Sequence, residues 1–156
     1  MQKSPLTNTE IAKLQAEISD LKDQFPIQTL AVLGVLVAFI FLPGKGNRPS
    51  VYHAYGFWKP VLLLSALVGA YSYYTFRKKV KALQADLDSG EKVVENTSIW
   101  KKQKTRFNGK HKIYLMSAYK EFSEMAVDAV EFERFAVDQP VTLAFGERSK
   151  MLFELS

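Results

Sequence analysis

The sequence predicts a membrane α+β protein: a two-helix transmembrane hairpin with cytoplasmic helical extensions, then a small, mostly antiparallel C-terminal β module with one short helix. Three observations predict it. Two apolar runs of about 17 residues lie close together, each long enough as a helix for roughly 25 Å. Amphipathic helical stripes flank them. Beyond Glu91 the periodicity changes from that of helices to that of strands. The expected organisation is a cytoplasmic amphipathic helix over 1–25 and the hairpin over 26–90, with spans near 27–43 and 60–76 and an extension to about 88. A cytoplasmic β-rich module follows over 91–156.

The first element opens with Thr7-Asn8-Thr9-Glu10, a capping box in which Glu10 reaches back to the Thr7 backbone. Ile11, Leu14, Ile18, Leu21 and Phe25 then recur at heptad spacing, a seam for an intramolecular helix, a partner or another copy. Pro26 is expected to kink or break the junction with the apolar run. In that run, Ile27 to Pro43, the polar side chains are Gln28 and Thr29 alone, and Pro43-Gly44 is a stop signal. A cleaved signal peptide does not fit, because the run starts too late and no small-x-small site follows Leu42.

The second run, Pro60–Phe76, has rings at both ends: Tyr52, Tyr55, Phe57 and Trp58, then Tyr71, Tyr73, Tyr74 and Phe76. Headgroup layers favour such rings, and Lys59 and Arg77-Lys78-Lys79 can snorkel. Gly34 with Ala38, and Ser65 with Gly69, form small-residue faces for helix packing. Six cations on the side of the outer ends (Lys13, Lys22, Arg77, Lys78, Lys79, Lys81) oppose three in the connection (Lys45, Arg48, Lys59). The positive-inside rule then puts both termini in the cytoplasm. Val80, Leu83 and Leu87 continue the helix to a stop at Ser89-Gly90.

In the last segment, Asn108-Gly109 signals a type I′ hairpin between strands at about 93–107 and 110–119. A strand near 125–127 precedes a short helix capped by Asp128 and boxed by Glu131. Asp138-Gln139-Pro140 turns into a half-buried strand Val141–Phe145, and Gly146–Ser149 turns into a last strand, 151–155.

Charge is segregated: net −1 over 1–24, +5 over 25–90, +5 over 91–112 and −4 over 113–156, within a total of +5. The basic hairpin (Lys101, Lys102, Lys104, Arg106, Lys110 and Lys112, with Trp100 and Tyr114 interleaved) is expected to face anionic lipid or a protein partner. A solvated edge strand carries the same lysines, and nucleic acid is not expected.

No cysteine is present, which excludes disulfides, thiolate metal sites and a thiol nucleophile. His53 and His111 lie far apart in the chain, and no P-loop, Gly-x-Ser-x-Gly or His-x-x-His string occurs. The sequence therefore predicts no enzyme, cofactor, metal or small-molecule substrate. It predicts membrane lipids and protein subunits, or self-association, as partners. Two apolar helices and then a β module ending Ser-Lys-Met-Leu-Phe-Glu-Leu broadly resemble small two-span bacterial membrane proteins. That resemblance implies a multi-pass inner-membrane location and names no family. The expected role is a non-catalytic accessory, scaffold or adaptor subunit of a membrane complex. The alternatives are a surface sensor of anionic lipid or a ligand, and a homo-oligomeric channel.

Overall fold

The computed structural model describes residues 2–42, 51–105 and 110–156. The elements in chain order are β1 (Gln2–Pro5), α1 (Asn8–Ile40), α2 (Val51–Tyr55), α3 (Trp58–Ser89), β2 (Glu91–Gln103) and β3 (His111–Leu115). A single 3-10 turn (Lys120–Phe122), β4 (Glu124–Val127), α4 (Ala129–Arg134), β5 (Pro140–Phe145) and β6 (Leu152–Leu155) complete the chain. Two compact units result, one of Met1–Ile11 with Ala85–Ser156 and one of Ala12–Gln84.

The first unit is a curled antiparallel sheet in the order β4-β3-β2-β5-β6, with β1 also paired to β2. The long β2 organises it. Its start pairs with β1 (Gln2 opposite Val94), the stretch from Val93 to Ser98 with β5 (Val93 opposite Phe145), and its end with β3 (Ile99 opposite Leu115). Side chains alternate across the pleat, so Val93 and Ile99 enter the core with Ile113, Leu115, Leu143 and Phe145. Phe122 from the 3-10 turn and Phe132 from α4 close that core. Asp128 caps α4 by accepting from the Glu131 N–H at 2.8 Å.

Strand β1 has no counterpart in the sequence reading, because Gln-Lys-Ser-Pro shows no apolar alternation. It forms by pairing with the start of β2, and Pro5 sits where an edge strand tolerates a missing donor. The N-terminal residues therefore fold with the β-rich segment. The Thr7 capping box is formed: Thr7 N–H donates to Glu10 Oε2 at 2.8 Å, and Glu10 N–H donates to Thr7 Oγ1 at 3.4 Å.

In the second unit α1 and α3 run antiparallel. Phe25 stacks on Phe76 with centroids 4.5 Å apart, and Phe41 meets Phe57 at 5.8 Å near the other end. Helix α1 continues through Pro26 without a break. A proline inside a helix removes one backbone hydrogen bond, and α1 runs on to Ile40 despite it.

A two-helix transmembrane hairpin is not what the structure shows. Among the described residues α1 is the one helix long and apolar enough to cross a membrane. Helix α3 is as long, but Tyr71, Ser72, Tyr73, Tyr74 and Thr75 dilute its apolar run just before Arg77-Lys78-Lys79. Expected rings and hydroxyls at a span's end instead shorten the span. The multi-pass inner-membrane location, with both termini placed by the positive-inside rule, is thereby unsupported. Pro43-Gly44, Lys45, Arg48, Arg106, Phe107 and the Asn108-Gly109 turn lie outside the described residues.

A buried carboxylate joins the end of α3 to the β5–β6 turn. Asp86, 1% exposed, accepts the N–H groups of Arg148 (2.8 Å) and Ser149 (2.7 Å). Gly146 leaves it room, since a Cβ there would sit 2.3 Å from Asp86 Oδ2 and 2.5 Å from Ser149 Oγ. Removing the carboxylate leaves two backbone donors unpaired, so Asp86→Ala is expected to cost about 2–3 kcal/mol. Gly146→Ala should destabilise by about 1–3 kcal/mol through overpacking, and by less when Asp86→Ala is already present. Denaturant midpoints of the two single variants and the double variant test this cycle.

Candidate protein-interaction surface

The site begins with an irregularity in β2. The β2–β3 register shifts between Ile99 and Lys101, so two residues on β2 pass where one would. Regular alternation would send Trp100 and Lys101 to opposite faces, and such a bulge re-aims side chains. Trp100 and Lys101 both reach Tyr114: the rings are 5.7 Å apart, and the Lys101 ammonium stands 5.1 Å from the Tyr114 centroid and 6.0 Å from that of Trp100. Tyr114 is further fixed by its hydroxyl, which donates to Gln103 Oε1 at 2.9 Å.

Trp100 is 49% exposed and Met116, beyond the end of β3, is 68% exposed. The Ser98 hydroxyl lies 3.6 Å from the Met116 sulfur. An indole, a phenol and a thioether thus share a surface with one ammonium group. Tryptophan, tyrosine and methionine are enriched at protein interfaces, where tryptophan and tyrosine carry much of the binding energy.

Three other cations of the basic hairpin are engaged within the fold. Lys102 donates to the Phe135 carbonyl and stands 4.2 Å from the Phe132 ring centroid. Lys104 pairs with Glu133 at 3.0 Å and Lys112 with Glu124 at 2.6 Å. The hydrogen bond from Lys104 holds the Glu133 carboxyl below its ordinary range, and that with Glu124 raises the Lys112 ammonium. Lys110 is exposed. Lys102 and Lys104 thereby fasten α4 to the sheet, and the acidic last third of the chain supplies their partners.

No family model, curated protein or solved structure matches the chain. The surface stands on its own chemistry.

The remaining expected residues are placed as follows. Of the heptad seam, Leu14 and Ile18 are buried and Ile11 and Leu21 half-buried. Gly34 and Ala38 lie exposed on α1, while Ser65 and Gly69 are half-buried on α3. A Cβ at Gly34 or Gly69 would meet nothing within 4 Å, so neither glycine marks a close helix crossing within the chain. Among the described residues no three His, Asp or Glu side chains gather as a metal site.

Sequence reasoning missed two of three buried carboxylates. Glu95 accepts from the Ser117 hydroxyl (2.7 Å) and the Ala118 N–H (2.8 Å), fixing the chain after β3. Its signal was present, since Glu95 alternates in register with Val93 and Ile99 on the inward face. Asp86 likewise follows Leu83 by three on the apolar stripe of α3, where a solvated acid is out of place.

The third, Glu10, uses both oxygens. Oε2 accepts from Thr7, and Oε1 takes Lys92 Nζ at 2.6 Å with both side chains about nine-tenths buried. Burial, the largest influence, pushes the Glu10 carboxyl up, but the Lys92 and Thr7 hydrogen bonds together hold it below its ordinary value. A lowered folded-state value adds stability above the unfolded carboxylate range, and that stability is lost as pH falls through the folded value. Glu10→Gln should therefore lose less stability than the parent chain between neutral pH and about pH 3, read from denaturant midpoints across pH. Lys92→Met strands the carboxylate and should cost about 3 kcal/mol at neutral pH.

Proposed function

We propose that the chain is a non-catalytic adaptor subunit of a membrane protein complex. Its helical unit docks by apolar faces, and its β unit recruits a further protein through the Trp100–Tyr114–Met116 surface. The observation that carries this reading is the exposed apolar area on α1 and α3. Ile27, Leu30, Val35 and Phe39 of α1, and Leu62, Leu63 and Leu67 of α3, are each more than half exposed. Water-soluble monomers rarely leave contiguous apolar patches of this kind uncovered. The apolar stretch of α1 is 6% buried, so it does not serve as a core helix of this chain.

Adaptor chemistry is favoured over a lipid-reading basic hairpin by the ion pairs of Lys104 and Lys112 and the inward engagement of Lys102. Those three cations are already committed, and an anionic surface would have to displace Glu133 and Glu124 to reach two of them.

Extraction of the full chain in mild detergent at native expression, with crosslinking, should yield a stoichiometric partner. Leu30→Asp with Leu63→Asp should release that partner while helix content is retained. Trp100→Ala should leave the unfolding midpoint nearly unchanged and weaken the β unit's partner by about 2 kcal/mol or more, the usual cost of losing a central tryptophan. A monomer that stays soluble without detergent and crosslinks to nothing would overturn the reading.

A further inference from the structure

Between α1 and α3, wholly within the helical unit, lies a half-open cleft of about 180 Å³. Its position is notable for what lines it. From Ile27 to Leu42 the polar side chains of α1 are Gln28 and Thr29 alone, and both face this cleft. Across it stand Ser72 and Thr75 of α3, with Lys79 one turn further. Phe25, Gln28, Thr29 and Val32 follow i, i+3, i+4, i+7 on α1, and Ser72, Thr75, Phe76 and Lys79 follow the same spacing on α3. Gln28 and Thr29 of α1 and Ser72 and Thr75 of α3 therefore converge on one wedge, floored by the Phe25–Phe76 stack.

The hydrogen bonds inside the wedge set its chemistry. Thr29 donates its hydroxyl proton to the Phe25 carbonyl at 2.8 Å, and Thr75 donates to the Tyr71 and Ser72 carbonyls at 3.0 and 2.9 Å. Both threonines thus offer oxygen lone pairs to a ligand hydroxyl. Gln28 spends one amide proton on Gln24 Oε1 and keeps a second. Lys79 is the single charged lining group, and no carboxylate among the described residues pairs with it. A volume near that of six waters, at about 30 Å³ each, suits a headgroup rather than a whole lipid.

We infer that this cleft binds the headgroup of an anionic amphiphile, its phosphate on Lys79, its hydroxyl on Thr29 and Thr75, and its chain leaving past Val32. The inference does not depend on the adaptor reading. It requires neither helix to cross a membrane.

The test uses the full chain in neutral maltoside micelles, titrated with lysophosphatidic acid, inorganic phosphate or lysophosphatidylcholine and followed by phosphorus NMR. Lysophosphatidic acid should bind one per chain, with the other two at least tenfold weaker. Lys79→Gln should weaken it about tenfold, as expected for losing a charge-assisted hydrogen bond. Lys78→Gln, which removes the neighbouring cation outside the cleft, should not. Thr75→Leu, which fills the wedge and keeps every charge, should abolish binding, and helix content by circular dichroism verifies that each variant is folded. Equal loss in Lys78→Gln and Lys79→Gln would reduce the effect to bulk charge and overturn the site. Equal binding of inorganic phosphate would show a free-phosphate site and overturn the amphiphile. Equal binding of lysophosphatidylcholine, or full binding by Thr75→Leu, would overturn it as well.

Discussion

Thirteen consecutive residues in one strand cannot stay flat against three partners, and β2 shows how the strain is relieved. A twisted strand coils as it lengthens. Along β2 the neighbours change from β1 and β5 to β3, and the register slips by one residue at Ile99–Lys101. The curl wraps the sheet around Ile99, Leu143 and Phe145, so the first unit encloses a core without a second sheet. The same slip brings Trp100 and Lys101 together over Tyr114. Core closure and the exposed aromatic surface are two results of one backbone irregularity.

Where the ladders stop, carboxylates take over. Glu95 holds the chain after β3, Asp86 holds the β5–β6 turn, and Glu10 joins the first turn of α1 to Lys92 on β2. Each accepts two hydrogen bonds, which is what a buried carboxylate needs to offset its desolvation. All three accept from backbone N–H groups (Thr7 for Glu10, Ala118 for Glu95, Arg148 and Ser149 for Asp86), so their loss would free backbone rather than a single side chain. These acids do structural work that a charge count along the chain cannot distinguish from solvated surface.

Legibility in the sequence followed the range of the deciding interaction. Asp128 capping α4, Glu10 boxing α1 and the Asp138 turn are decided within four residues, and the structure has each of them. The strand at Val141–Phe145 is present too, but it is not half-buried as its alternation predicts, because Ala144 is buried along with Val141, Leu143 and Phe145. Strand β1 is decided by β2, some ninety residues away, and nothing in Gln2–Pro5 announces it. The connection between the two apolar runs likewise holds a short helix, α2 at Val51–Tyr55, that the sequence does not announce. Pro26 locally predicts a kink or a break, yet α1 continues through it. The second apolar run fails for another reason: tyrosines that suit an interfacial anchor also carry hydroxyls that lower the hydropathy a span requires. Of the candidate surface, Trp100 and Tyr114 were legible as rings amid cations, but the bulge that joins them to Lys101 was not. The pairing of Lys104 and Lys112 with acids twenty-nine and twelve residues onward was hidden too.

That pairing alters what the net charge of +5 means. A basic segment and an acidic segment, separate in the chain, meet across α4 and the β3–β4 ladder, so much of the first cancels against the second. Ion pairs this exposed add little stability, but they remove cations from any surface that might attract a polyanion. Among the described residues, Arg77, Lys78, Lys79 and Lys81 on α3 pair with no carboxylate and follow the apolar stretch. Only Lys79 of these lines the polar cleft, and its neighbours lie on other faces of the helix. A cation at the edge of apolar surface, next to hydroxyls that have spent their protons on the backbone, selects for an anion that brings its own donor and its own apolar chain. Charge placed this way discriminates by geometry at one position, where the same charge spread over the β-hairpin would attract any polyanion.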